Sequence, residues 1–116
     1  MASATYYQRG ESLDYTNSTS SKIVANTVIE LTGRIGVTGT DINPGETGSL
    51  HVCGVFKIAK TGTNKIEMGQ AVYFDGTGIT DAADDGGSPA TPYTPAGYAV
   101  AEAAAAATEI LVKLQG

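Results

Sequence analysis

The sequence predicts an all-β chain, and three observations carry that reading. Fifteen glycines and fifteen threonines are spread along the 116 residues. Between them Val and Ile recur in segments of about four to eight residues bounded by turn formers, the grammar of short strands. The one segment with strong helix propensity, the alanine run at residues 99–107, carries no amphipathic stripe that a helix could bury. A chain of this length holds one domain, because a second hydrophobic core could not be built from what remains after the first is filled. The hydrophobic fraction of 41% includes much alanine, no Trp and only two Phe, so the core is thin. Burial at roughly 25 cal/mol per Å² must offset about 1–2 kcal/mol of ordering cost per residue, and stability gained from association is expected.

The elements follow in order. Residues 1–9 are polar with adjacent Tyr6 and Tyr7, and Gly10 separates them from the segment 13–16. Residues 1–16 are read as an extended N-terminal arm and 17–116 as the β domain. One of the two tyrosines must meet solvent or a partner, since neighbouring positions of an extended chain point to opposite sides. Residues 17–21 are turn formers, residues 23–31 supply the first central strand and residues 34–38 a second, shorter one. Pro44-Gly45 meets the dihedral requirements of a type II turn. Residues 50–58 form the clearest strand, with Leu50, Val52, Gly54, Phe56 and Ile58 on the core face and His51, Cys53, Val55 and Lys57 on the other. Residues 61–64 make a loop, 66–69 a short turn-like piece, and 71–74 a strand closed by the hairpin signal Asp75-Gly76 ahead of residues 78–80. Residues 81–95, acidic and rich in Gly and Pro, read as an exposed loop. The tail is ambiguous: propensity favours a helix at 99–107, while 108–114 alternate with Ile110, Val112 and Leu114 on one side. No internal repeat is visible.

Several classes of function are excluded. The formal charge is −5 with no run of Lys or Arg, so nucleic acid is not an expected partner. The longest apolar stretch is short, and no basic start followed by an apolar run opens the chain, so neither a membrane span nor a signal peptide is expected. A lone cysteine, Cys53, rules out an internal disulfide and a multi-cysteine zinc site. Phosphate-binding and nucleophile-elbow signatures are missing, and Lys60-Thr61-Gly62 lacks the Ser-x-x-Lys that would make it a β-lactamase fragment, so it is read as a turn.

Three sets of residues are of a type that could carry chemistry. His51 and Cys53 share a strand face about 7 Å apart, too far for a direct hydrogen bond without bending, and in place of a Cys/His dyad are read as a small apolar cysteine in a subunit contact or second layer beside a partly exposed histidine. Asp81, Asp84 and Asp85 lack EF-hand spacing and are read as a solvated loop. Asn17-Ser18-Thr19 matches a glycosylation acceptor, a pattern that matters only in a secreted protein. No catalytic, cofactor or metal residue is assigned.

Taken together, the segments resemble a family of phage capsid cement, or decoration, proteins over nearly the full length. The resemblance is carried by Tyr6-x-x-x-Gly10-x-x-Leu13-Asp14-Tyr15, by Asp41-Ile42-x-Pro44-Gly45-Glu46-x-Gly48, and by Gly54-Val55-Phe56-Lys57-Ile58. It continues in Gly69-x-x-Val72-Tyr73-Phe74-Asp75, Ala96-Gly97-Tyr98-Ala99-Val100-Ala101 and Ile110-Leu111-Val112-Lys113-Leu114; order and spacing, more than any single motif, are specific. The resemblance implies strand, loop and strand for residues 101–114, and a compact β-barrel-like or sandwich-like body with an N-terminal arm. It further implies a homotrimer bound to the major capsid protein on the outer surface of the virion head, which it stabilises without catalysis or cofactor. Tyr6, Tyr7, Gln8, Arg9, Leu13 and Tyr15 are the candidate capsid-binding residues, because a polar arm can add a strand to an exposed sheet edge. Two other classes stay open: another virion module, of tail or fibre, and a ligand-binding or enzymatic domain using His51, Cys53 and the acidic loop.

Overall fold

The computed structural model describes residues 2–114. Nine strands form two antiparallel sheets, with no helix among the described residues. The first sheet holds β1 (Ser12–Thr16), β2 (Val28–Leu31), β3 (Arg34–Thr38) and β4 (Thr47–His51) in the order β1-β4-β3-β2. The second holds β5 (Val55–Ala59), β6 (Ala71–Phe74), β7 (Ile79–Thr80), β8 (Thr94–Ala99) and β9 (Glu109–Leu114) in the order β5-β9-β8-β6-β7. A single bridge between Lys60 and Ile79 joins the end of β5 to β7, but neither sheet closes, so the all-β body is sandwich-like and not a barrel.

Several sequence expectations change. Residues 50–58 are not one strand: β4 ends at His51, β5 begins at Val55, and Val52-Cys53-Gly54 carries the chain from one sheet to the other. Gly54 turns there at φ 110°, a conformation other residues rarely adopt. Residues 23–31 become strand only from Val28, because Asn26 turns the chain at φ 68°, and β2 lies at an edge instead of the centre. The acidic loop is exposed from Ala82 through Pro92, but Thr94 and Pro95 already pair with Phe74 and Tyr73. The alanine run forms no helix: Ala99 ends β8, and Ala103 exchanges both backbone hydrogen bonds with Ile66. Tertiary pairing overrides propensity where a helix has nothing to bury.

The chain is also an internal duplication, contrary to the sequence reading. β1, β2, β3 and β4 correspond to β5, β6, β8 and β9, and in each unit the first strand pairs with the last, the last with the third, and the third with the second. The registers match as well. Ser12↔His51 to Thr16↔Thr47 correspond to Val55↔Lys113 to Ala59↔Glu109, and Val28↔Val37 and Ile29↔Gly36 to Ala71↔Tyr98 and Val72↔Gly97. The reciprocal bridge Ile23–Ile42 recurs as Ile66–Ala103. Four turns repeat the same corner, and the backbone amide entering each is held across it: Asn17 N–H to Glu46 O, Thr38 to Thr27, Lys60 to Thr108 and Ala99 to Gln70. Three of these corner residues are buried polar groups whose side chains bond the corner carbonyls. Asn17 Nδ2 donates to Ser21 O and Ile42 O, Thr38 Oγ1 to Val24 O, and Lys60 Nζ to Gly62 O and Ala105 O. β7 and the acidic loop are an insertion into the second unit, where the first has only the tight turn at Thr32-Gly33.

The units pack front to back. In the second unit Phe56, Ile58, Val72, Phe74, Val112 and Leu114 share one face, its front, and build the core. The equivalent front positions of the first unit are Leu13, Tyr15, Ile29, Leu31, Leu50 and Val52. Cross-strand partners share a face, and the pairings Leu13↔Leu50 and Thr38↔Leu50 set these positions opposite to Val28, Ile35 and Val37. It is this second set, the back of the first unit, that enters the core of the second. Glu30 on the same face accepts a hydrogen bond from Thr94 Oγ1 at 2.9 Å. Leu50 and Ile42 are buried outside this core, lying flat over Gly36 and Gly48, where a Cβ would come within 2.7 and 2.6 Å of them.

Candidate interaction surface

The proposed contact residues fall along one path. Residues 2–9, including Tyr6, Tyr7, Gln8 and Arg9, are exposed and without regular structure, while Met1 lies outside the described residues. The chain joins the first sheet at Ser12, where β1 forms an edge strand paired on one side with β4. Leu13 (40% exposed) and the half-buried Tyr15 stand on its front face. The structure therefore places Leu13 and Tyr15 together, and it carries the four arm residues beside them without packing them into a single pocket. A cleft of about 480 Å³ at this end is lined by Arg9, Glu11, Leu13, Leu31, Val52 and Cys53.

Sequence reading missed a second apolar surface. Tyr98 and Leu111 are exposed on the back of the second unit, and Lys113 Nζ lies 5.8 Å from the centroid of the Tyr98 ring. A shallow cleft of about 400 Å³ runs beside them between β6 and β8, past Ala71, Tyr73 and Pro95. Strand alternation alone puts Tyr98 outward from Ala99, and an outward tyrosine next to Tyr73 was the available signal. Val55 is exposed in the same row, across Lys113 from Tyr98, and Val24 and Met68 are exposed elsewhere.

The groups weighed for chemistry have structural partners. His51 lies 6.0 Å from Phe56, ring to ring, while the Cys53 thiol faces the Glu11 carbonyl at 4.0 Å, so the two have different partners where the strand is interrupted at residues 52–54. Asp84 and Asp85 accept hydrogen bonds from amides of their own loop, at Gly86, Gly87 and Thr91, and Asp81 accepts one from Asn64 Nδ2. The Thr91 and Gly87 amides hold the Asp85 carboxyl below the usual carboxylate range. No group of three or more metal-ligating side chains gathers among the described residues. Asn17 of the glycosylation pattern is fully buried, with both ends of its amide hydrogen-bonded, so it is closed to modification. Lys60 of Lys60-Thr61-Gly62 is a corner clamp.

No helix among the described residues is long and apolar enough to cross a membrane. No curated protein and no solved structure matches the chain. The family model described as phage cement protein matches residues 7–114, which include the end of the arm, both units and the insertion. The chain therefore belongs to the phage cement protein family and has a structural, capsid-associated role.

Proposed function

We propose that this chain decorates the outer surface of the assembled phage head, binds the major capsid protein there as a homotrimer, and stabilises the shell without catalysing a reaction. The observation that carries this reading is the exposed arm, residues 2–9, leading directly into an edge strand of the first sheet. An arm with free backbone N–H and C=O groups adds to a capsid sheet edge through main-chain hydrogen bonds, and its tyrosines bring large apolar area with a polar tip. Binding the assembled lattice and not free subunits stabilises the lattice by mass action, about 2.7 kcal/mol per occupied site at a free concentration about 100 times Kd.

The test is co-sedimentation of the purified chain with expanded, undecorated heads of its own phage, with and without residues 1–9. Saturable binding that is lost on deletion, together with a raised melting temperature of the decorated heads, is the expected result. Absence of binding to every head form would overturn the reading and favour a tail or fibre role.

A further inference from the structure

The duplication leaves two surfaces of this molecule more open than their equivalents. The front of the second unit is covered by the back of the first, with a cleft of about 430 Å³ left beside Val28, Val37, Phe56 and Phe74. On the front of the first unit only Leu50 at the centre is buried, while Leu13 is exposed and Tyr15, Leu31 and Val52 are half-buried, and on the back of the second unit Tyr98 and Leu111 are exposed. Burial follows this division. Phe74 and Leu114 are 8% and 0% exposed on the covered front, whereas their counterparts Leu31 and Val52 on the open front are half-buried. On the backs, Val37 is 4% exposed and its counterpart Tyr98 43%. Val28 and Ile35, which enter the core, correspond by register to Ala71 and Pro95. The open back is thus apolar where the buried back is apolar, and Tyr73 stands at the position of Glu30.

We propose that copies of this chain associate head to tail in solution, the back of the second unit (Tyr73, Pro95, Tyr98) docking on the front of the first unit (Leu13, Tyr15, Leu31) of another copy. The occupant is a second copy of the same chain, because the internal interface already shows this pair of faces mated in the same wiring. Such a contact is heterologous: each copy offers one front and one back, so repetition closes a ring when the rotation permits. Three copies in a ring would present six similar units. The inference deepens the self-association within the proposed function, but it concerns the free protein and is tested without heads.

The test uses two single-cysteine chains of distinguishable mass, Leu13→Cys and Tyr98→Cys, each with Cys53→Ser. They are mixed in equal amounts and treated with a short bis-maleimide. The expected product is the 13–98 pair between unlike chains, dominating over 13–13 and 98–98 pairs. In parallel, light scattering of the parent chain should show a mass above the monomer, and Tyr98→Glu should raise the dissociation constant roughly tenfold or more. The substituted side chain is exposed, so circular dichroism should report an unchanged fold. A parent chain that stays monomeric at all concentrations, or like-with-like cross-links as the main product, would overturn the proposal. Head binding could survive either result, so the two readings fail separately.

Discussion

The first and second units share one hydrogen-bond wiring and differ in how they spend their side chains. The second is built around a deep apolar face on which the first unit sits, with Ile66, Val72, Val112 and Leu114 all at or below 1% exposure. The first has a shallow face, with Leu50 and Ile42 pressed onto glycines and Leu13 left in solvent. At one pair of positions the volumes are exchanged: Ile42 at the bridge faces Gly48 in the first unit, whereas Ala103 at the bridge goes with Ile110 in the second. The comparison teaches that backbone pairing sets this architecture, while side-chain volume needs only to sum correctly at each site. It also locates stability in the second unit and leaves the first unit's front free for contact.

The strongest challenge to that division is to cut the equivalent bridge residues. Ile66→Ala, at a fully buried site, should cost about 2–5 kcal/mol, and Ile23→Ala, at its half-buried counterpart, about 1 kcal/mol, as measured by urea denaturation. Equal losses would break the asymmetry. The corners come next: Lys60→Met removes the donor to the part-buried bonds with Gly62 O and Ala105 O, Asn17→Ala removes the donor to the buried Ile42 O, and each should cost about 1–3 kcal/mol. A neutral Lys60→Met would show that backbone bonds alone hold the second unit's corner.

The exchanged volumes give a double-mutant cycle. Gly48→Ala should destabilise by about 1–3 kcal/mol through overpacking against Ile42. In the Ile42→Ala background the same change should cost less, with a coupling of about 0.5–3 kcal/mol; strict additivity would refute the exchange. The smallest effect concerns the insertion. Burial raises the Asp75 pKa, but hydrogen bonds from Thr61, Thr77 and Gly78 outweigh it and hold the carboxyl at about 2. Its folded pKa is depressed, so its contribution is present above the unfolded value near 4 and is lost as pH falls through about 2. Solvent screening limits this to about 1 kcal/mol or less. Asp75→Asn should flatten the stability profile between pH 4 and 2, and the first unit's hairpin turn, Thr32-Gly33, offers no carboxylate to do the same.

Parts of this architecture were legible in the residues. The Pro44-Gly45 turn, the Asp75-Gly76 hairpin and the alternation of Ile110, Val112 and Leu114 each follow from dihedral limits or period two within a few neighbouring residues. Of the candidate surface, Leu13 and Tyr15 emerged as apolar positions beside a polar arm, while Tyr73 and Tyr98 went unnoticed because nothing local says that an outward face lacks a cover. The duplication was hidden because its corresponding positions share a backbone role and not a side chain, as in Asn17 and Lys60, or Thr38 and Ala99.

By itself, then, the sequence determined that the chain is all-β, where most turns fall, and which family it resembles. These rest on local backbone preference and on motif order, both of which act along the chain. Only the tertiary structure decided that residues 50–58 break between two sheets, that the alanines bridge to Ile66, and that the units stack front to back. A strand pattern of period two gives both faces of a sheet but does not say which one is covered, and that choice is made by burial between segments far apart in sequence.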